Sequence, residues 1–164
     1  MTPSIVLTPP RGLGAIIAAF GNIQVAGGSI VGPPGWESQW MCKVTLPGIA
    51  HTVYMNRAIV EPTREALTKA IARRPDYAIR TFGCVAPRAK RVNGDLSTHS
   101  WGLAVDMNDV ANPLAAAAGP VVAAGAPGRG RPDAWVQIFE AIGFTWGGRF
   151  RRPDPMHFQW CSGY

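Results

Sequence analysis

Charged side chains are scarce in this chain. They make up 16% of its 164 residues, against roughly 25% in an ordinary soluble domain. That shortage excludes a solvated helical bundle, a coiled coil and a disordered chain. Cysteine is nearly absent too. Cys42, Cys84 and Cys161 lie far apart and no C-x-x-C spacing occurs, which excludes a Cys-rich zinc knuckle and a thioredoxin-type redox site. Three buried thiols are expected rather than a disulfide framework. Long apolar runs are also missing. The stretch 13–20 is too short to span a bilayer and has no basic segment ahead of it. The expectation is a chain without signal peptide or membrane insertion, made in the cytoplasm. Any work outside it then requires release or delivery by something else.

What the chain does have is turn-forming residues. Nineteen glycines and fifteen prolines are well above ordinary usage but short of low complexity. A chain of this length with 47% hydrophobic residues can bury a real core as one domain. The net charge of +6 and a pI near 9.8 favour an acidic partner: nucleic acid, anionic lipid or an acidic wall polymer. The basic residues are scattered and no nucleic-acid recognition motif appears, so nucleic acid is the weakest of the three.

Residues 1–50 read as a turn-rich N-terminal segment packed on the domain formed by 51–164, with one short helix over 13–20. A strand is expected within 52–60. Residues 61–74 read as a helix, with Pro62 near its start and Ala66, Leu67, Ala70 and Ile71 on one face. A strand over 77–82 is expected to stop at Gly83. Residues 102–108 alternate, with Leu103, Val105 and Met107 facing away from Gly102, Ala104, Asp106 and Asn108. Residues 110–131 read as a surface loop with a helical turn over 114–118. Residues 132–142 read as a helix carrying Trp135, Ile138, Phe139 and Ile142 at i, i+3, i+4, i+7. Alternation returns over 156–160. Helices and short strands without a βαβ rhythm predict a loop-rich α+β domain around a small, mostly antiparallel sheet with flanking helices.

Two of the three histidines sit in unusual company. His99 lies in Ser97-Thr98-His99-Ser100-Trp101-Gly102-Leu103-Ala104-Val105-Asp106, and His157 in Asp154-Pro155-Met156-His157. Two imidazoles and a carboxylate are a standard ligand set for a catalytic zinc that keeps a fourth position open. On a straight strand His99 and Asp106 would fall on opposite faces, so a bend through 100–102 is needed, and Gly102 permits one. Taken alone, the residues equally suit two core or surface histidines and a surface aspartate. His51 matches no pattern. Trp101, Trp146, Phe158 and Trp160 suit core packing, although Trp146 beside Gly147-Gly148 also suits a cleft wall. Arg149, Arg151 and Arg152 form either a solvated basic loop or an attractive rim for anionic substrate.

The pattern Ser97-x-His99-x-x-Gly102-x-Ala104-x-Asp106, followed by Asp154-x-x-His157, resembles the zinc D-alanyl-D-alanine carboxypeptidase/VanY-type peptidases, a family that includes phage L-alanyl-D-glutamate endolysins. The likeness extends through Ile79-Arg80-Thr81-Phe82-Gly83-Cys84, Ala86-Pro87-Arg88 and the segment from Trp135 to Gly148, and so spans about residues 55 to 164. It implies a hedgehog/D-Ala-D-Ala peptidase-like fold and one Zn2+ per chain, held by His99, Asp106 and His157. It further implies that Asp154 acts as general base on a zinc-activated water, where many relatives carry Glu. Arg80 corresponds to an arginine facing the scissile carbonyl or a substrate carboxylate, with Arg88 its rival, and Ser97 to a substrate-contacting hydroxyl.

The implied partner is peptidoglycan and the implied state a monomer. The chain reaches the bacterial wall by release or on a particle. An endopeptidase cutting L-alanyl–D-glutamate must admit polymer on both sides of the bond, whereas a carboxypeptidase must close one side around a free carboxylate. The endopeptidase is the favoured reading. The alternative from another class is a wall-binding module that kept the fold without the chemistry.

Overall fold

The computed structural model describes residues 8–90, 93–114 and 133–164. Helix α1 (Gly12–Phe20) turns Ile16 and Phe20 into the interior, one turn apart on the same face. Strands β1 (Gln24–Ala26) and β2 (Ser29–Val31) form a hairpin across Gly27-Gly28. Both glycines have positive φ, as a two-residue hairpin loop demands. The short helix α2 (Trp36–Trp40) buries Trp36 and leads into β3 (Met41–Val44), which pairs antiparallel with β4 (Val53–Asn56). The strand expected within 52–60 is therefore short, because a 3-10 turn over Arg57–Ile59 follows at once.

Helix α3 (Val60–Arg73) buries Ala66, Leu67 and Ala70 as their spacing predicts, with Ile71 at the edge. Pro62 sits in its first turn, where a missing N–H breaks no helical bond. The central sheet runs in the order β5 (Phe82–Gly83), β6 (Ala104–Met107), β8 (His157–Gln159), β7 (Thr145–Trp146), antiparallel throughout. Helix α4 (Asp133–Ile142) packs against α3. Its Phe139 ring lies 4.5 Å from the ring of Phe158 on β8, so α4 covers the Val105 and Phe158 face of the sheet. Each such fully buried aromatic is worth about 1.5–3 kcal/mol of burial. The opposite face carries Ala104, Asp106, His157 and Gln159, and that face holds the site. The result is the expected small α+β fold with short antiparallel sheets.

One expected element is mostly not a strand. Of residues 77–82 only Phe82 enters the ladder, continuing to Gly83. The preceding backbone is taken by the side chain of Asn108, whose Oδ1 accepts from the N–H groups of Arg80 (2.7 Å) and Thr81 (3.2 Å) and whose Nδ2 donates to Ala78 O. Asn108 itself adopts a positive φ of 51°. From residue 115 on, the expected 110–131 loop and its turn over 114–118 lie outside the described residues, as does Pro132 at the start of the expected last helix. No described helix is long and apolar enough to cross a membrane.

Candidate metal centre

The bend that the His99 motif requires is a 3-10 turn, Thr98–Trp101, closed by Gly102 at φ 66°. Ser97 caps the turn, its Oγ accepting from the His99 N–H at 3.4 Å. A Cβ at position 102 would stand 2.9 Å from the backbone nitrogen of Asn56, so only glycine fits both the conformation and the space. The turn carries His99 over the Asp106 face. There Asp106 on β6 and His157 on β8 are direct cross-strand partners.

Three ligand-type atoms converge. His99 Nε2 lies 3.1 Å from His157 Nδ1 and 3.1 Å from Asp106 Oδ1, and His157 Nδ1 lies 3.0 Å from Asp106 Oδ1. Tetrahedral ligands about 2.0–2.2 Å from an ion stand roughly 3.3 Å apart, so this triangle is close to one that a single small cation would hold. The remaining ring nitrogens are already engaged: His99 Nδ1 with Cys84 O, and His157 Nε2 with Gln159 Oε1 at 3.1 Å. Each ring therefore has its other nitrogen free for the shared point, the usual arrangement of metal-bound histidine. Both histidines are buried. The donor set fits zinc.

Burial alone pushes the Asp106 carboxyl up, but its close contacts with His157 and His99 outweigh this and hold the group well below the ordinary carboxylate range. Asp154 goes the other way. Burial raises its carboxyl above the usual value and Asp106 adds to this, against opposing pulls from His157, His99 and Arg88. Asp154 Oδ1 is buried and makes no hydrogen bond with any described residue. Its loop is hooked by the Gly147 carbonyl, which accepts from Asp154 N at 2.9 Å and Phe150 N at 3.0 Å. Asp154 O in turn accepts from His157 N at 3.1 Å.

The other expected site residues are more dispersed. Arg88 is exposed, and its backbone is strapped to the His99 turn through Ser100 Oγ and Ser97 N. Its charge reaches Asp154. Arg80 is exposed too, with its backbone tied to Asn108. Ser97 is buried in its capping role. Trp146 is 92% buried, lies over Gly148 and donates from Nε1 to Pro155 O at 3.0 Å, so its indole props the Asp154 loop. His51 lies apart from the cluster, exposed, with Nε2 3.2 Å from Phe82 O. All three thiols are free, with Cys84 and Cys161 buried and Cys42 half-buried. Sequence reasoning missed Gln159, the Cys84 carbonyl, Asn108 and Gly147. Only Gln159 carried a signal, since a strand places it on the His157 face two residues on.

Residues 90–160 match the model of a D-alanyl-D-alanine carboxypeptidase family. The match takes in His99, Asp106, Asp154 and His157 and begins after Arg80 and Arg88. It covers under half of the chain and supports a peptidase of the D-alanyl-D-alanine carboxypeptidase/VanY type, as the motifs suggested. No curated protein and no solved structure matches.

Proposed function

We propose that this chain is a zinc metallopeptidase that hydrolyses peptide bonds in the stem peptides of bacterial peptidoglycan. The observation that carries the reading is the His99–Asp106–His157 triangle, with both histidines buried, beside Asp154, whose buried Oδ1 makes no hydrogen bond among the described residues. Zinc held there supplies a Lewis acid that polarises a carbonyl and brings the pKa of water toward neutrality. The chain does the rest. Asp154 has a raised proton affinity, which suits a group that takes a proton from the attacking water and returns it to the leaving amine. Arg88 places a positive charge at the exposed rim, complementary to a developing oxyanion or a stem-peptide carboxylate. The chain's +6 charge supports attraction to an anionic wall.

The finer reading is an endolysin-type L-alanyl-D-glutamate endopeptidase acting as a monomer at the wall, supported by the likeness of its motifs to phage endolysins. The family description favours a second reading, a D-alanyl-D-alanine carboxypeptidase. Digesting purified sacculi and reading the new termini by mass spectrometry tests both. New D-glutamate amino termini are expected. Release of free D-alanine alone overturns the endopeptidase reading, and no new termini from zinc-loaded protein overturns the peptidase.

A further inference from the structure

Gln159 sits two residues beyond His157 on β8 and is 97% buried. Its Oε1 lies 3.1 Å from His157 Nε2 and also accepts from Thr98 Oγ1 at 3.3 Å, while its Nε2 donates to the Tyr164 carbonyl at 3.1 Å. The orientation of this amide is not free. Flipped, it would set its oxygen against the Tyr164 carbonyl oxygen, which can only accept. With the amide oxygen toward His157, Nε2 must carry the proton. Nδ1 is then the nitrogen left for the point shared with His99 and Asp106.

Tyr164 is itself latched. Its hydroxyl donates to Leu96 O, its ring meets Trp101 edge-on at 6.5 Å, and the Lys90 ammonium lies over its face. Leu96 immediately precedes the Ser97 cap of the His99 turn. One side chain therefore ties the segment after β8 to the segment that delivers the other histidine. Thr98, on the same turn, supplies the second bond to Gln159.

We propose that Gln159, oriented by the latched Tyr164, is a positioning residue for the metal centre: it holds His157 in the Nε2-protonated tautomer and so sets the affinity of the centre for zinc. The inference rests on the zinc reading above. Its test is zinc affinity, measured by competition with a chromophoric chelator, alongside the melting of the zinc-free proteins.

Gln159→Met keeps the volume and removes the acceptor. It should bind zinc about 10–100-fold more weakly than the parent, the usual cost of losing such a partner. The melting temperature of zinc-free Gln159→Met separates loss of the acceptor from loss of packing, and it should stay near the parent's. In the zinc-loaded parent, NMR of 15N-labelled histidine should show a protected proton on His157 Nε2, lost in Gln159→Met. Parent-like affinity in Gln159→Met overturns the proposal. A His157 Nε2 proton as well protected in Gln159→Met as in the parent also overturns it, because packing alone would then be at stake. If Gln159→Met does not fold, Tyr164→Ala, which frees the latch from outside the core, must weaken zinc binding, and unchanged affinity there sinks the proposal. A parent that takes up no zinc removes the zinc reading itself, a distinct result.

Discussion

Asp106 and His157 face each other directly across β6 and β8, with Oδ1 and Nδ1 3.0 Å apart. Because the pair is set by strand register rather than by a loop, half of the candidate centre is as rigid as the sheet. Zinc should therefore stabilise a preformed site. At a free concentration of 100 Kd, binding to the folded state alone adds about 2.7 kcal/mol. Scanning calorimetry should show zinc raising the parent's melting temperature and leaving His157→Ala where it was. A parent melting curve indifferent to zinc would count against the centre, as would wall digestion that survives removal of metal by a chelator.

Asp154 lies outside the triangle, and its Oδ1 is buried without a hydrogen bond among the described residues, as the proposed role of general base leaves it. Asp154→Asn should keep the parent's zinc stoichiometry yet lose about 10²–10⁴-fold in kcat, the range for removing a general base. Zinc content by elemental analysis and turnover on a soluble stem peptide check the two halves separately. Full activity in this variant would leave Asp154 without the assigned role.

Much of this arrangement was legible in the residues themselves. Glycine at 102 made a bend before Asp106 credible, and the 3–4 spacing of Ala66, Leu67 and Ala70 marked their helix. What stayed hidden depends on contacts between distant positions. Residues 78–81 have strand-like composition, but their N–H and C=O groups are claimed by Asn108, about thirty positions away. No local pattern announces such a competitor. The Cys84 carbonyl is likewise a backbone atom, and its role for His99 exists only once β5 lies beside β6.

The thiols give a prediction about pH. Burial pushes Cys161 up to about 12 and raises Cys84 as well, while for Cys42 burial raises the thiol against an opposing pull from Arg57. A raised thiol pKa means less thiolate at a given pH, and the thiolate is the reacting form. At pH 8 an alkylating reagent should label half-buried Cys42 first and slowly. Cys84 and Cys161 should react only after unfolding, which peptide mapping would show. Rapid labelling of Cys161 in native protein would contradict its buried placement.

Gly147 offers the sharpest test of how Asp154, the proposed base, is placed. A Cβ there would stand 2.6 Å from Asp154 O, 3.0 Å from His157 Cβ and 3.2 Å from Asp154 Cβ. The closest of these is backbone, so a methyl group cannot be absorbed by turning a flexible side chain. Gly147 has no positive φ, and alanine is therefore acceptable to the local backbone while unacceptable to the loop it faces. Gly147→Ala should displace Asp154 while β6 and the His99 turn stay in place. A shift near 1 Å in a catalytic group can cost about 100-fold in rate, so kcat should fall by about that factor. Zinc affinity should fall far less than in Gln159→Met, because the atoms nearest the new methyl are those of Asp154 and the Cβ of His157 rather than the ring partners of His157. Kinetics and zinc titration on the same preparation compare the two. Should Gly147→Ala lose zinc as severely as His157→Ala, the loop and the metal centre would be one unit, and the separation of base placement from metal binding would fail.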